Sequence, residues 1–279
     1  MTHFSIACSK KYALSPFYKG NKPLACNAPL WGMTFRKAGS MRFRWNEANS
    51  TRDALLSEIA SAASPALTPV PLELIHSTIV YDVSVPEDTF TMQGDGILTI
   101  NKLLLPTVTV ADCMPIFFYE EESGAFGLVH SGWKGTGIIK NALELARQNY
   151  GTRIENVCVA LGPHIRSCCY IVDETRAAYF KNTFGESCIV AYDEDERAEN
   201  TRARIQWNNS GEKLYSLSLE RANLAVLEKI GVRDENIAIT DDCTCCNDIF
   251  GSFRRESAGI CEAEKWKHFT VQAAFCGWM

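Results

Sequence analysis

Residues 107–135, TVTVADCMPIFFYEEESGAFGLVHSGWKG, decide how this chain is read. Two apolar runs, 107–110 and 115–119, flank Asp112 and Cys113, and a third, 125–129, delivers His130. Short runs of β-branched and aromatic residues broken by turn residues are strand signals. A thiol and an imidazole at the ends of such runs can meet across neighbouring strands, and both are ligands for a borderline-soft metal. The glycine-flanked HSGWKG turn then opens residues 134–151, with apolar residues at Ile138, Ile139, Ala142, Leu143, Leu145 and Ala146. That spacing predicts a helix, closed by Gly151.

Upstream, Pro16, Pro23 and Pro29 make the stretch from Met1 to Leu30 read as irregular. Residues 31–39 read as a short strand ending in a turn. Asn49 to Asp53 offer N-cap residues for a helix over ALLSEIASAA. Residues 72–83, partly alternating and β-branched, read as a strand carrying His76, and 94–100 as a turn into another. Downstream, strands are predicted at 157–161, 188–192 and 237–240, helices at 173–184 and 214–230, and a charged surface loop at 193–204. Strands cluster in 72–130 and alternate with helices in 134–240. The mixture predicts one α+β domain, 1–279, with helices covering sheet faces.

Composition narrows the function. The chain has 279 residues, 46% apolar and 22% charged, with net charge −5 and no basic run. That argues against a nucleic-acid partner, and no apolar run reaches the roughly 18 residues of a membrane span. The N-terminus lacks the apolar stretch of a signal peptide, so a cytoplasmic protein is expected. The twelve cysteines then read as reduced thiols, mostly small buried apolar residues.

Among five histidines, His76 and His130 sit beside apolar runs, and with Cys113 they make a two-His, one-Cys set. In zinc enzymes three such ligands leave a fourth position open. Their wide separations along the chain match no short metal pattern. The same atoms also read as a metal-free Cys113–His130 dyad of a hydrolase. Residues 243–246, CTCC, hold one CxxC with no second to partner it, which reads as packed thiols rather than a zinc knuckle. Residues 162–170 form a loop after a strand, where binding residues often sit. Arg254 and Arg255 supply a fixed positive charge of the kind that holds phosphate bidentately. No GxGxxG, P-loop or GxSxG is present.

The motifs GDGILT (94–99), TVADCMP (109–115), GLVHSGWKG (127–135), LGPHIRSCCY (161–170) and DDCTCCNDIFGSFRRE (241–256) stand in the order found in the laccase-domain family. The chain resembles that family from about residue 72 to 255. Its members, once called multicopper polyphenol oxidases, are regarded as purine nucleoside phosphorylases with adenosine deaminase activity, and some carry a peptidoglycan-editing label. The resemblance implies zinc held by His76, Cys113 and His130, and a four-layer α/β/β/α sandwich with mixed sheets. It places the site at the sandwich's end or a dimer interface, in a monomer or homodimer.

It further implies phosphorolysis of adenosine, inosine or methylthioadenosine, with small-molecule nucleosides and phosphate as partners. Lys134, Arg254 and, by its place in NSTR, Arg52 would hold the phosphate, and Asp112 or Asp95 would shuttle a proton in deamination. On a strand shared with Cys113, the Asp112 side chain would instead point away from the thiol. The chain departs from the family pattern at LIHST, at Lys134 where an arginine is usual, at His164 and Arg166, and after Arg255. A copper-dependent polyphenol oxidase needs more histidines than five. A metal-stabilised domain without activity is the non-enzymatic alternative.

Overall fold

The strand Met114–Tyr119 is buried along its whole length, and its alternation explains why. Ile116 and Phe118 face a layer of helices, while Phe117 and Tyr119 face a second sheet. A strand covered on both faces reads as a continuous apolar run rather than an alternating one. In this computed structural model, which describes residues 1–7, 10–25, 27–191 and 213–279, it lies at the centre of a seven-stranded mixed sheet. The order is Thr2–Phe4, Ile237–Thr240, Cys158–Leu161, Met114–Tyr119, Phe126–Ser131, Gly96–Thr99, Val80–Asp82.

Opposite it lies a five-stranded sheet, ordered Tyr12–Pro16, Leu30–Thr34, Gln272–Gly277, Leu104–Val110, Thr68–Pro71. The core between the sheets is rich in aromatics, with the Trp31 and Phe117 rings stacked at 4.8 Å. On the outer face of the larger sheet, helices Ile139–Tyr150, Glu174–Phe184 and Leu219–Ile230 bury Leu143, Ala146, Phe180, Ala222 and Leu227. Helix Ser50–Ser61 packs Leu55, Leu56 and Ile59 against Leu105, Ala273 and Phe275 of the smaller sheet. The layers run α/β/β/α, as the resemblance implied.

The predicted caps are in place. The Asn49 side chain accepts from the Arg52 amide, and Gly151 closes its helix at φ 67°. Several sequence expectations need correction. The stretch from Met1 to Leu30 is not irregular, because Tyr12–Pro16 pairs with Leu30–Thr34 and Thr2–Phe4 pairs in parallel with Ile237–Thr240. Residues 72–83 are strand only at Val80–Asp82. The helix expected from 134 starts at Ile139, and the one expected from 214 starts at Leu219, after a strand at Tyr215–Leu217. The strand expected at 188–192 is Ile189–Ala191; Tyr192 and the predicted loop 193–204 lie outside the described residues. Among the described residues, no helix is long and apolar enough to cross a membrane.

Candidate active site

The ADC step connects the two sheets. Leu104–Val110 belongs to the five-stranded sheet and Met114–Tyr119 to the seven-stranded one, so residues 111–113 cross the end of the sandwich. Asp112 takes φ 79° at the crossing, a left-handed conformation that Asp tolerates better than most side chains. In the next hairpin Pro115 pairs with His130 and Met114 with Ser131. Cys113 therefore stands just beyond the pairing, beside Gly132. A Cβ on Gly132 would lie 3.0 Å from the Cys113 sulfur and 3.4 Å from the His76 ring. One on Gly135 would lie 2.8 Å from the Ser77 carbonyl. Both glycines of HSGWKG thus leave room for the thiol and the His76 loop.

His76 is on that loop, not on a strand, at φ 58°. The cause is Asp95, fully buried in the turn before Gly96–Thr99. Its Oδ1 accepts from the His76 amide at 3.0 Å, and its Oδ2 from the Ser77 amide at 2.6 Å and hydroxyl at 2.7 Å. The same Oδ1 lies 2.9 Å from His130 Nδ1. The carboxylate therefore shapes one loop and orients the imidazole delivered by another. With Nδ1–H given to Asp95, His130 presents Nε2 to its neighbours, the orientation found when a carboxylate backs a metal-bound histidine.

The ligand atoms of His76, Cys113 and His130 lie within 4.8 Å of one another, and the two imidazole planes cross at 82°. Around a tetrahedral zinc, with Zn–N and Zn–S near 2.0–2.3 Å, donor atoms stand about 3.4–3.6 Å apart. Small side-chain movements close that gap, so the donor set fits a zinc ion.

The electrostatics couple the thiol to the imidazole. Burial alone pushes the Cys113 thiol up, but the charge and hydrogen bond of His130, helped by His76, bring it down to about 6. For His130, burial pushes down, and the Cys113 thiolate and Asp95 lift it to about 10. Thiolate and imidazolium hold each other. The folded-state pKa of Cys113 is depressed, so its stabilising contribution is present above the ordinary thiol value and lost as pH falls through about 6. In metal-stripped protein, the ultraviolet absorbance of the thiolate, taken as a difference against Cys113→Ala, should disappear with a midpoint near 6. A midpoint at the ordinary thiol value would show that the pair does not form.

A cavity of about 480 Å³ opens onto the triad, within the roughly 300–1,000 Å³ usual for small-molecule sites. Arg254 lines it, as the sequence suggested, with its guanidinium over the Tyr170 ring. Arg255 does not. It wraps the preceding loop, donating to the carbonyls of Thr244, Cys245 and Asn247. Lys134 is exposed, outside the cavity lining and off the helix, its Nζ 5.4 Å from the Trp133 ring. Arg52 lies behind the wall, bound to Asp53 and to the Arg42 carbonyl beneath Phe43.

Asp112 lines the cavity, but both its oxygens are engaged. Oδ1 accepts from Thr244 and Oδ2 from Ser252 and the Arg254 amide. Burial nonetheless pushes its carboxyl up against the pull of those donors. Asp95 stands behind His130 rather than in the cavity. Sequence reasoning missed Arg176, which sits over Trp133 at 4.5 Å, and the rings of Phe43, Phe253 and Phe269. Trp133 lay within the HSGWKG motif, whereas Arg176 on its helix carried no signal.

A family model described as multi-copper polyphenol oxidoreductase laccase matches residues 47–261. A purine nucleoside phosphorylase of Staphylococcus epidermidis is 32% identical over 165 residues, covering 58% of this chain and 55% of that protein. The purine nucleoside phosphorylase YlmD of Geobacillus stearothermophilus is 30% identical over 165 residues, with the same 58% and 55% coverage. The chain thus spans about half the length of these relatives. The crystal structure of the hypothetical protein YfiH of Bacillus licheniformis superposes with a TM-score of 0.72 at 20% identity, over 89% of this chain and 92% of that one. At that identity the likeness is one of fold.

Proposed function

The chain belongs to the multi-copper polyphenol oxidoreductase laccase family, and from that premise we propose that its cavity binds a purine nucleoside and phosphate beside a zinc ion. The reaction is phosphorolysis of adenosine, inosine or methylthioadenosine to base and ribose-1-phosphate, with adenosine deamination at the same site. One observation carries the reading: His76, Cys113 and His130 line the same cavity as Arg176, Arg254 and several aromatic rings. The purine nucleoside phosphorylase names of the relatives support the substrate class.

In phosphorolysis a phosphate oxygen bonds to C1′ of the ribose, and the C1′–N9 bond breaks with its electron pair leaving on the purine. Arg254 and Arg176 supply fork-shaped donors for the phosphate. Tyr170 and Phe253 supply flat apolar surface for the base. Asp95 fixes the His130 ring, and Asp112 braces the turn that presents Cys113. When bound, zinc supplies Lewis-acid polarisation and the water activation that deamination requires. Positioning and charge complementarity carry the rest of the rate.

A second reading rests on the thiol held at about 6 and backed in line by His130 and Asp95. That is the arrangement of a cysteine hydrolase working without metal. One experiment separates the two. Pure protein is incubated with adenosine, inosine and methylthioadenosine, with and without phosphate, and the products are resolved. Phosphate-dependent release of free base, lost on chelation, is the expected result. No product from any of the three would sink the nucleoside reading. Turnover that survives chelation and dies on alkylation would favour the hydrolase.

A further inference from the structure

Strands Cys158–Leu161 and Ile237–Thr240 are parallel neighbours with Leu161 opposite Ile239, so the loops that follow them leave the sheet side by side. A bridge between His164 and Cys243, with the Thr244 amide on the His164 carbonyl at 3.0 Å, continues the pairing beyond the strands. The first loop carries Cys168 and Cys169, and the second carries Cys243 and Cys246. Their four sulfur atoms lie within 4.8 Å of one another. Cys246 Sγ is 3.6 Å from that of Cys168 and 3.3 Å from that of Cys169.

We propose that Cys168, Cys169, Cys243 and Cys246 form a second metal site, a closed tetrathiolate that takes a zinc-like cation and pins one wall of the cavity. Two features favour coordination over simple packing of thiols. A buried cysteine behaves as a small apolar residue, which needs apolar neighbours but not other sulfur atoms. These four sulfur atoms instead converge on one point, and one of the residues, Cys246, is exposed. Sulfur atoms around a tetrahedral zinc stand about 3.8 Å apart at a Zn–S distance near 2.3 Å, close to the spacings found.

The Arg166 amide also points at the Cys243 sulfur at 3.4 Å. Amide donors of this kind orient ligands and stabilise the charge of a coordinated thiolate. The half-knuckle of residues 243–246 has a partner after all. It is the vicinal pair Cys168–Cys169, far upstream, rather than a second CxxC, which is why spacing did not reveal it.

The location gives the site its role. Tyr170 follows Cys169 directly and lines the cavity, while Thr244 follows Cys243 and holds Asp112. Arg255 ties the carbonyls of residues 244, 245 and 247 to the segment carrying Arg254. With four protein ligands and no open position, the cation is structural. All-sulfur donors select zinc over magnesium or calcium.

The test measures metal per chain in protein purified under reducing conditions without added metal. Whatever the His76–Cys113–His130 set holds, the double variant Cys168→Ala, Cys246→Ala should contain about one equivalent less than its parent. Cobalt-loaded Cys113→Ala, in which only the second site is complete, should show the intense charge-transfer absorption of four thiolates around tetrahedral cobalt. This second measurement decides the matter even where the double variant does not fold. Equal metal content in a folded double variant, or no sulfur-to-cobalt band, overturns the proposal. So does a deficit of two thiols among the twelve titrated in denaturant, which assigns the cluster to a disulfide.

Discussion

Cys113→Ala is expected to empty the first metal site and to lower phosphate-dependent cleavage of inosine by at least about a hundredfold, with a modest loss of stability. The thiolate is the only anionic donor among the three ligands. Removing it leaves two imidazoles, which bring no charge to offset that of a divalent cation. A metal that polarises an oxygen contributes several kcal/mol to a transition state, and about 2.7 kcal/mol is already a hundredfold. The packing cost is small, because the side chain stands at the end of the sandwich, half-buried, beside the gap left by Gly132. Unfolding free energy in metal-stripped protein should fall by about 1–3 kcal/mol at and above neutral pH, because the thiolate–imidazolium pair is lost with the thiol. The measurements are metal content, product formation and a denaturation curve on the same preparation. Wild-type turnover in the variant would remove the triad from the chemistry. Chelation of the parent should reproduce the loss, and if only the mutation does so, the thiol itself is the reacting group.

The sequence carried the site better than the sheets. Cys113 and His130 were legible because each ends an apolar run, and the pairing of Pro115 with His130 brings the run ends together. His76 could be placed in the set by its neighbours, but its backbone could not be read. The loop is shaped by Asp95, distant in sequence, and only tertiary structure makes that contact. The strand Gln272–Gly277 went unread for another reason. It lies in the middle of the five-stranded sheet, buried along its whole length, and is built from Ala273, Ala274, Cys276 and Gly277. It therefore shows neither alternation nor β-branched enrichment. Its small residues are required by close approach: a Cβ on Gly277 would lie 2.7 Å from Leu105. Arg176 and Arg254 reach the cavity from segments far apart in the chain, whereas Lys134, close to a ligand in sequence, faces outward. The apolar runs bordering Cys113 and His130 pointed to side chains that adjacent strands bring together, whereas nearness along the chain misplaced Lys134, because the cations lining the cavity come from separate segments.

Asp95→Asn should weaken metal binding at the first site by about 10- to 100-fold, the usual cost of losing an outer-shell carboxylate, and should destabilise the fold as well. The carboxylate oxygens divide their work: one takes the His76 amide and His130 Nδ1, the other the Ser77 amide and hydroxyl. An asparagine oxygen can serve only one pair, and its amide nitrogen must then face donors. The better arrangement points the nitrogen at Ser77, whose hydroxyl can turn to accept, and leaves the Ser77 amide opposed inside a fully buried turn. An unsatisfied buried donor costs about 1–3 kcal/mol. The lost charge also lowers the basicity of His130, which Asp95 now raises, so the ring is a poorer ligand even where its orientation survives. Asp95→Ala removes all four acceptor contacts and should do worse on both counts. A competition titration with a zinc chelator and a thermal melt, run on both variants, check the order wild type, Asn, Ala. If Asp95→Asn bound zinc as tightly as the parent, the carboxylate would be shaping the loop alone, and the backing of His130 would carry no part of the affinity.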